Sequence, residues 1–250
     1  MVICTAIACI NLLANVSNLP QKMDYSLRDS VEQDVSFASQ HQAFLAKQSR
    51  FSFYQVNRLN LITFSNIYHP TPESSSLFLS QAVRKQLQGL DYPKHRLLDL
   101  GCGTGVIGLS LKPFVNELHL TDINSKAVLC ARINAFINGI SAKVYQSDLF
   151  NSVPTGGFDI IIFSPPFLQK EIRKEVELCT NDPGGNLFLR FIQEVPYYLS
   201  PQGMVFFSYS NLGDLSLLNQ IPVGLKLEQL AIERFPEAGT ERYAFQLTMQ

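Results

Sequence analysis

The sequence lacks an excess of charge of either sign. Only 16% of its 250 residues are charged and the formal net charge is −1, so no broad basic field indicates nucleic acid as an obligatory partner. Its four histidines are scattered, and its five cysteines are odd in number and lack the paired spacing of a metal site or disulfide framework. These absences predict a metal-free protein with reduced thiols, located in the cytoplasm.

The apolar N-terminus lacks basic residues as well. Residues 1–16 read MVICTAIACINLLANV, and the first basic residue is Lys22. A secretory signal starts with a basic region and a membrane span requires about 20 apolar residues, so we expect neither of them, and no membrane partner. Two explanations stay open: a helix that packs on the body of the protein, or a start codon assigned too far upstream.

Two further segments precede the glycine-rich part of the chain. Residues 31–44 repeat apolar side chains at helical spacing, which predicts a second N-terminal helix. Residues 51–68 are rich in aromatic and β-branched side chains around Asn57 and Arg58, which predicts a β-hairpin. We therefore expect a small N-terminal helical region over residues 1–50 and the main domain over residues 51–250.

The stretch LLDLGCGTGVIGL, residues 97–109, predicts a buried parallel strand followed by a tight turn and a helix. Gly101, Gly103 and Gly105 turn the backbone where side chains would not fit. Backbone N–H groups at such a helix start face a bare concavity in which a ligand can lie. Gly103, Gly105 and Gly108 also satisfy G-x-G-x-x-G, so the glycines alone permit NAD or FAD.

Beyond this turn, strands and helices alternate as in a doubly wound sheet. The pattern predicts strands over residues 117–121, 142–146, 158–163 and 203–208, and helices over residues 125–138 and 185–199. Two more strands, residues 225–235 and 241–250, are separated by a Pro-Glu-Ala-Gly turn and should pair antiparallel. A hydrophobic content of 46% is sufficient for a sizeable core.

Polar side chains follow the ends of successive predicted strands. Asp99 precedes the first glycine, where a carboxylate can meet a positively charged amino group. Asp122 ends the next apolar run, where it can accept hydrogen bonds from both hydroxyls of a ribose, and Asp148 closes a third, where it can receive the amino group of an adenine. A fourth run ends in Ser164-Pro165-Pro166-Phe167.

This ordered set resembles the class I S-adenosylmethionine (SAM)-dependent methyltransferases. The resemblance implies an α/β fold with a doubly wound, seven-stranded, mostly parallel Rossmann-like sheet, and it favours SAM over a nicotinamide or flavin as cofactor. It also implies three groups of cofactor-binding residues: Asp99, Gly101 and Gly103 at the methionine half, Asp122 and Ile123 at the ribose, and Asp148 and Leu149 at the adenine.

The fourth element resembles the (N/D/S)-P-P-(Y/F/W) motif of enzymes that methylate amino nitrogens. Amide and aromatic amine nitrogens are poor nucleophiles because their lone pairs are delocalised, so the site must accept hydrogen bonds from the NH₂ group. Prolines cannot donate, which leaves carbonyl oxygens for the pocket. The resemblance implies Ser164 Oγ and the Pro165 carbonyl as acceptors, Pro166 as the second proline, and Phe167 stacked on the planar group.

The segment before the glycine-rich strand indicates which branch of this family the sequence resembles. Two prolines, Glu73 and a run of serines precede a predicted helix over residues 74–90, similar to the glutamine methyltransferases that modify release factors. That likeness implies that Ser74 touches the cofactor carboxylate, whereas the alternative is a simple helix cap. The sequence departs from this branch at Ser164 and Phe167, where those enzymes have Asn and usually Tyr.

The sequence thus predicts a SAM-dependent methyltransferase that acts on a planar amide or amino nitrogen, with a glutamine of a protein substrate as the first expectation. One alternative is a methyltransferase acting on an RNA or DNA base. It is favoured by three basic residues beside the acceptor motif, Lys170, Arg173 and Lys174. A second alternative is a SAM-binding protein without catalysis.

Overall fold

A computed structural model describes residues 51–71, 74–90 and 94–250, the side chains of residues 94 and 95 excepted. The N-terminal helical region expected over residues 1–50 lies outside the described residues, and the boundary near residue 51 stays a prediction.

Nine strands and four α-helices are assigned in the described residues. In chain order they are β1 Phe51–Val56, β2 Leu59–Phe64, α1 Ser75–Gln88, β3 Lys94–Leu100, α2 Val106–Leu111, β4 Val115–Asp122, α3 Ser125–Ile137, β5 Lys143–Gln146, β6 Phe158–Phe163, α4 Asn186–Glu194, β7 Leu199–Ser210, β8 Leu225–Phe235 and β9 Thr240–Met249.

Seven strands form one sheet in the order β5-β4-β3-β6-β7-β9-β8. The pairs from β5 to β7 are parallel, and β9 runs antiparallel to both β7 and β8. The expected doubly wound, seven-stranded, mostly parallel sheet is therefore confirmed, including the antiparallel pairing at its end. Because the chain winds outward in both directions from β3 and β6, the carboxyl ends of these strands form the crevice where ligands bind in such sheets.

The central strands are apolar because both of their faces are covered. Leu97 and Leu98 of β3 are fully buried although they point to opposite faces, and the same holds for Ile160 and Ile161 of β6. Continuous apolar runs of this kind are typical of parallel strands with helices on both sides. They divide the interior into two large clusters, one on each face of the sheet.

The predicted hairpin is present as β1 and β2, paired antiparallel. Asn57 and Arg58 have φ angles of 48° and 70°, the left-handed conformation that a two-residue hairpin turn requires. Strand β2 lies against α3, where the side chain of Asn138 accepts from the Asn60 N–H at 2.9 Å and donates to the Asn60 carbonyl at 2.8 Å. An asparagine side chain thus binds the strand as a neighbouring peptide group would.

One helix is shorter than the sequence predicts. Helix α4 ends at Glu194, and Pro196 lies in a 3₁₀ turn that follows it. A proline has no N–H for the helical ladder and clashes with the preceding turn. The prediction of a helix up to residue 199 was wrong for this reason, and β7 begins at Leu199 instead of residue 203.

Candidate active site

A cavity of about 390 Å³ opens at the carboxyl ends of the central strands. Gly101 and Gly103 line it, with φ angles of 58° and 54°. Glycine adopts this left-handed conformation without the steric cost of a Cβ, and the missing side chains leave the backbone open to the cavity. The structure therefore places these two predicted cofactor-binding residues on the cavity wall.

Asp122 and Ile123 lie on the same wall. The Asp122 carboxylate accepts from the Gly103 N–H at 2.9 Å and from the Asn124 N–H at 2.8 Å, one bond to each oxygen. Burial raises the pKa of this carboxyl, and the backbone N–H donors act in the opposite direction. Asn124, rather than Asp122, caps α3, so the capping role does not explain the aspartate. An ionised carboxylate keeps further lone pairs beyond these two bonds.

Asp99 does not line the cavity, and its expected contact with the cofactor stays a prediction. Its side chain is fully buried beneath the glycine turn, and Oδ2 accepts from the Gly108 N–H of α2 at 2.9 Å. Burial raises the pKa of this carboxyl to about 7. Oδ1 is buried without a hydrogen-bond partner among the described residues. The carboxyl supports the turn from behind because strand alternation directs it toward α2 and away from the opening.

Asp148 and Leu149 also lie off the cavity wall, and their contact with the adenine stays a prediction. Both Asp148 oxygens are 3.2 Å from Nη1 of Arg190 on α4, and Leu149 is buried with a φ of 45°. Gln146, at the end of β5, lines the cavity instead, and its amide donates to the Ile123 carbonyl at 2.8 Å. The sequence could not show that Arg190, 42 residues away, would bind the aspartate.

Ser74 is a helix cap, as the alternative interpretation proposed. Its hydroxyl is buried and accepts from the Leu77 N–H at 3.3 Å at the start of α1. The next two residues, Ser75 and Ser76, line the cavity. The structure thus shows the capping bond of Ser74, and its contact with a cofactor stays a prediction.

All four residues of the Ser-Pro-Pro-Phe motif line the cavity. Ser164 Oγ lies 2.8 Å from Ser208 Oγ of β7. The Phe167 N–H donates to the Thr180 carbonyl at 3.1 Å, and its ring centroid lies 6.0 Å from that of Tyr209. The motif predicted as catalytic, Ser164, Pro165, Pro166 and Phe167, is thereby brought together with Asp122 and the glycine turn.

Asn134 of α3 is a buried residue that the sequence analysis missed. Its Oδ1 accepts from the Ile62 N–H at 2.8 Å, and its Nδ2 donates to the carbonyls of Ile62 and Thr104, each at 2.9 Å. The side chain therefore joins the hairpin to the glycine turn, and Thr104 itself lines the cavity. The available signal was a polar residue on the small-residue face of a helix predicted to pack on the sheet.

The C-terminal strands contribute to the cavity through Phe235, Thr240 and Arg242, which the sequence analysis also missed. Arg242 is almost fully buried, forms an ion pair with Glu233, and lies over the rings of Phe78 and Phe235 at 5.1 and 5.3 Å. This placement depends on β9 returning between β7 and β8, which no local motif specifies.

Within residues 51–71, 74–90 and 94–250, no group of histidine, cysteine, aspartate or glutamate side chains is arranged to hold a metal ion. No helix of that part of the chain is both long and apolar enough to cross a membrane.

Comparison with known proteins agrees with this architecture. A family model described as the methyltransferase small domain matches residues 69–220. A candidate protein N5-glutamine methyltransferase of Methanocaldococcus jannaschii is 31% identical over 191 residues, which is 73% of this chain and 92% of that protein. The ribosomal RNA small subunit methyltransferase C of Haemophilus influenzae is 34% identical over 150 residues, which is 58% of this chain and 44% of that protein.

Solved structures share the fold. The 16S rRNA N2 methyltransferase of T. thermophilus, determined with AdoMet and guanosine, aligns over 81% of this chain and 52% of its own, with a TM-score of 0.62 and 18% identity. The E. cuniculi Mtq2–Trm112 complex, responsible for methylating a translation termination factor, aligns over 74% of this chain and 99% of its own, with a TM-score of 0.54 and 21% identity.

Proposed function

The chain belongs to the methyltransferase small domain family and is a SAM-dependent methyltransferase. From this premise we propose that it methylates a planar nitrogen, namely the side-chain amide of a protein glutamine. The observation that carries the proposal is the Ser-Pro-Pro-Phe motif on the same cavity as Asp122 and the glycine turn. The M. jannaschii relative, which this chain covers over 92% of its length, is named for the same acceptor.

The residues of the cavity fit SAM. A volume of about 390 Å³ lies in the usual range of small-molecule sites. Asp122 is held by two backbone N–H groups and keeps lone pairs for the two ribose hydroxyls. We place the methionine half against Gly101 and Gly103, and the adenine beside Ile123 and Gln146. When bound, SAM supplies a methyl group on a positively charged sulfur.

The acceptor residues are arranged for an NH₂ group. Ser164 Oγ and the Pro165 carbonyl accept its hydrogen bonds, and the two prolines have no N–H that would compete. The Phe167 ring packs on the planar acceptor and fixes its orientation. Accepting both N–H bonds holds the nitrogen so that its lone pair is directed at the methyl carbon, and water takes the proton that the nitrogen loses.

The surface beside the motif favours a protein acceptor over RNA. The segment from 170 to 177 carries equal numbers of basic and acidic residues: Lys170, Arg173 and Lys174 against Glu171, Glu175 and Glu177. Glu175 forms an ion pair with Lys126 at 3.5 Å, and Glu177 accepts from two backbone N–H groups of the same segment. RNA binding depends on neutralising several phosphates, and this segment has no net positive charge for it.

A base of ribosomal RNA is the second candidate acceptor. The observation in its favour is that relatives named ribosomal RNA small subunit methyltransferase C match this chain at 33–35% identity. The chain spans less than half of their length.

The test is methyl transfer from SAM labelled in the methyl group. The full chain is incubated with a Gly-Gly-Gln peptide, with the matched Gly-Gly-Glu peptide that lacks the NH₂ group, and with small-subunit rRNA. We expect label in the glutamine peptide alone. Label in rRNA alone, with an affinity that falls steeply with salt, would establish the second candidate. SAM binding without transfer to any of the three would indicate a SAM-binding protein without catalysis.

A further inference from the structure

A second serine lies directly behind the acceptor hydroxyl. Ser208 of β7 is fully buried, and its Oγ is 2.8 Å from Ser164 Oγ. Ser208 does not line the cavity, whereas Ser164 does. A buried hydroxyl on a central strand is unfavourable unless it is hydrogen-bonded, and this one is bonded to the residue that meets the acceptor.

The direction of this hydrogen bond matters for catalysis. A serine hydroxyl has one proton and two lone pairs, so Ser164 can either donate into the cavity or accept from it. An acceptor NH₂ group needs a lone pair, and a hydroxyl proton pointing at it would be repulsive. An asparagine amide oxygen at this position of the motif could only accept, whereas a serine needs a partner to remove the ambiguity.

We propose that Ser208 is a positioning residue whose hydrogen bond fixes the rotation of the Ser164 hydroxyl and so keeps a Ser164 lone pair facing the acceptor nitrogen. This inference rests on the proposed function. In the transfer step the nitrogen forms a bond to the methyl carbon while the carbon–sulfur bond breaks. The sulfur keeps that electron pair as a thioether, and the nitrogen releases a proton to water. Ser208 touches none of the reacting atoms and acts through Ser164.

The central variant is Ser208→Ala in the full chain, assayed with labelled SAM and the Gly-Gly-Gln peptide. We expect kcat to fall about tenfold, the effect of one hydrogen bond that orients the site, while the Kd for SAM stays within about twofold. Ser208→Cys nearly keeps the side-chain volume but gives a weak acceptor, so it should resemble the alanine variant. Both variants are first checked for a cooperative thermal transition.

A matched control exists in the same protein. Ser80 of α1 and Ser110 of α2 form a buried hydroxyl pair with oxygens 2.6 Å apart, and neither residue lines the cavity. Ser80→Ala therefore removes the same kind of bond away from the motif. It should lower the unfolding temperature about as much as Ser208→Ala and leave kcat unchanged.

The double variant decides whether Ser208 acts through Ser164. If it does, adding Ser208→Ala to Ser164→Ala lowers kcat no further, because residues that act as a unit are not additive. An additive loss would overturn the inference, as would a Ser208→Ala protein with wild-type kcat. The proposed function fails separately, if the wild-type protein binds SAM and leaves the glutamine peptide unmethylated. Failure of the Ser208 inference and failure of the proposed function are therefore distinguishable.

Discussion

Replacing Asn134 by alanine should detach the hairpin from the glycine turn. The side chain is fully buried and forms three hydrogen bonds, two to the Ile62 peptide groups and one to the Thr104 carbonyl. Alanine leaves all three backbone groups without this partner. Since Thr104 lies on the cavity wall, the substitution should lower both the affinity for SAM and the stability of the fold.

The magnitude follows from the count of bonds. Each contributes about 1 kcal/mol to folding, and alanine regains about 0.5 kcal/mol of helix propensity, so the free energy of unfolding should fall by about 2.5 kcal/mol. Asn138, one turn later, binds the Asn60 peptide groups in the same way, but these two bonds are exposed to solvent. Water replaces its bonds, so Asn138→Ala should lower the free energy of unfolding by less than about 1 kcal/mol.

Denaturant unfolding and calorimetric titration with SAM measure the two effects. Asn134→Ala should weaken SAM binding at least fivefold, while Asn138→Ala should leave the Kd unchanged, because only Asn134 reaches the glycine turn. Equal changes in SAM affinity for the two variants would refute the link from hairpin to turn. So would an Asn134→Ala protein that is less stable but binds SAM normally.

Three further predictions concern single residues. Asp122→Ala should weaken SAM binding by about 1.5–3 kcal/mol, the loss of charge-assisted hydrogen bonds, and a normal calorimetric Kd would contradict its role. The pKa of Asp99 is raised to about 7 in the fold, so the folded cofactor-free protein binds an extra proton and its stability falls as the pH rises from about 4 to 7. Denaturant unfolding should show a smaller change in the free energy of unfolding over this range for Asp99→Asn. An unchanged pH dependence would contradict the assignment. A Cβ at Gly213 would lie 2.7 Å from the Phe167 carbonyl oxygen, so Gly213→Ala should displace the Ser-Pro-Pro-Phe motif. We expect a lower kcat with unchanged SAM affinity. A variant with normal kcat would show that displacement of Phe167 does not affect transfer.

The sequence predicted the site best where function follows from position on the sheet. Gly101, Asp122, Ile123 and Ser164 follow the ends of parallel strands, and parallel strands bring those ends to one edge. Once the alternation of strands and helices was read correctly, these residues had to meet. The antiparallel pairing of the last two strands was predicted from the turn between them and is observed, whereas the order of the strands was not predicted.

The side-chain contacts of Asp99 and Asp148 could not be predicted from the sequence, for a different physical reason. Asp99 and Asp148 are also at strand ends, but the direction of each side chain is set by partners that are distant in sequence or lie across the turn. Arg190 binds Asp148, and the Gly108 N–H binds Asp99. A single sequence does not show which of several polar groups will satisfy a carboxylate, so the position of a residue is predictable while its side-chain contact is not.

The glycine turn is held in place by side chains of the surrounding elements. Three polar side chains from three elements bind the turn and the start of α2: Asp122 accepts from the Gly103 N–H, Asn134 donates to the Thr104 carbonyl, and Asp99 accepts from the Gly108 N–H of α2. Glycines lose more conformational freedom on folding than other residues. Without these bonds SAM binding itself would have to order the turn, and that loss of entropy would lower the affinity. Because the bonds are formed in the protein itself, folding stabilises the turn in advance and SAM binds an ordered surface. Loss of any one of the three should therefore weaken SAM binding, although only Asp122 of the three lines the cavity.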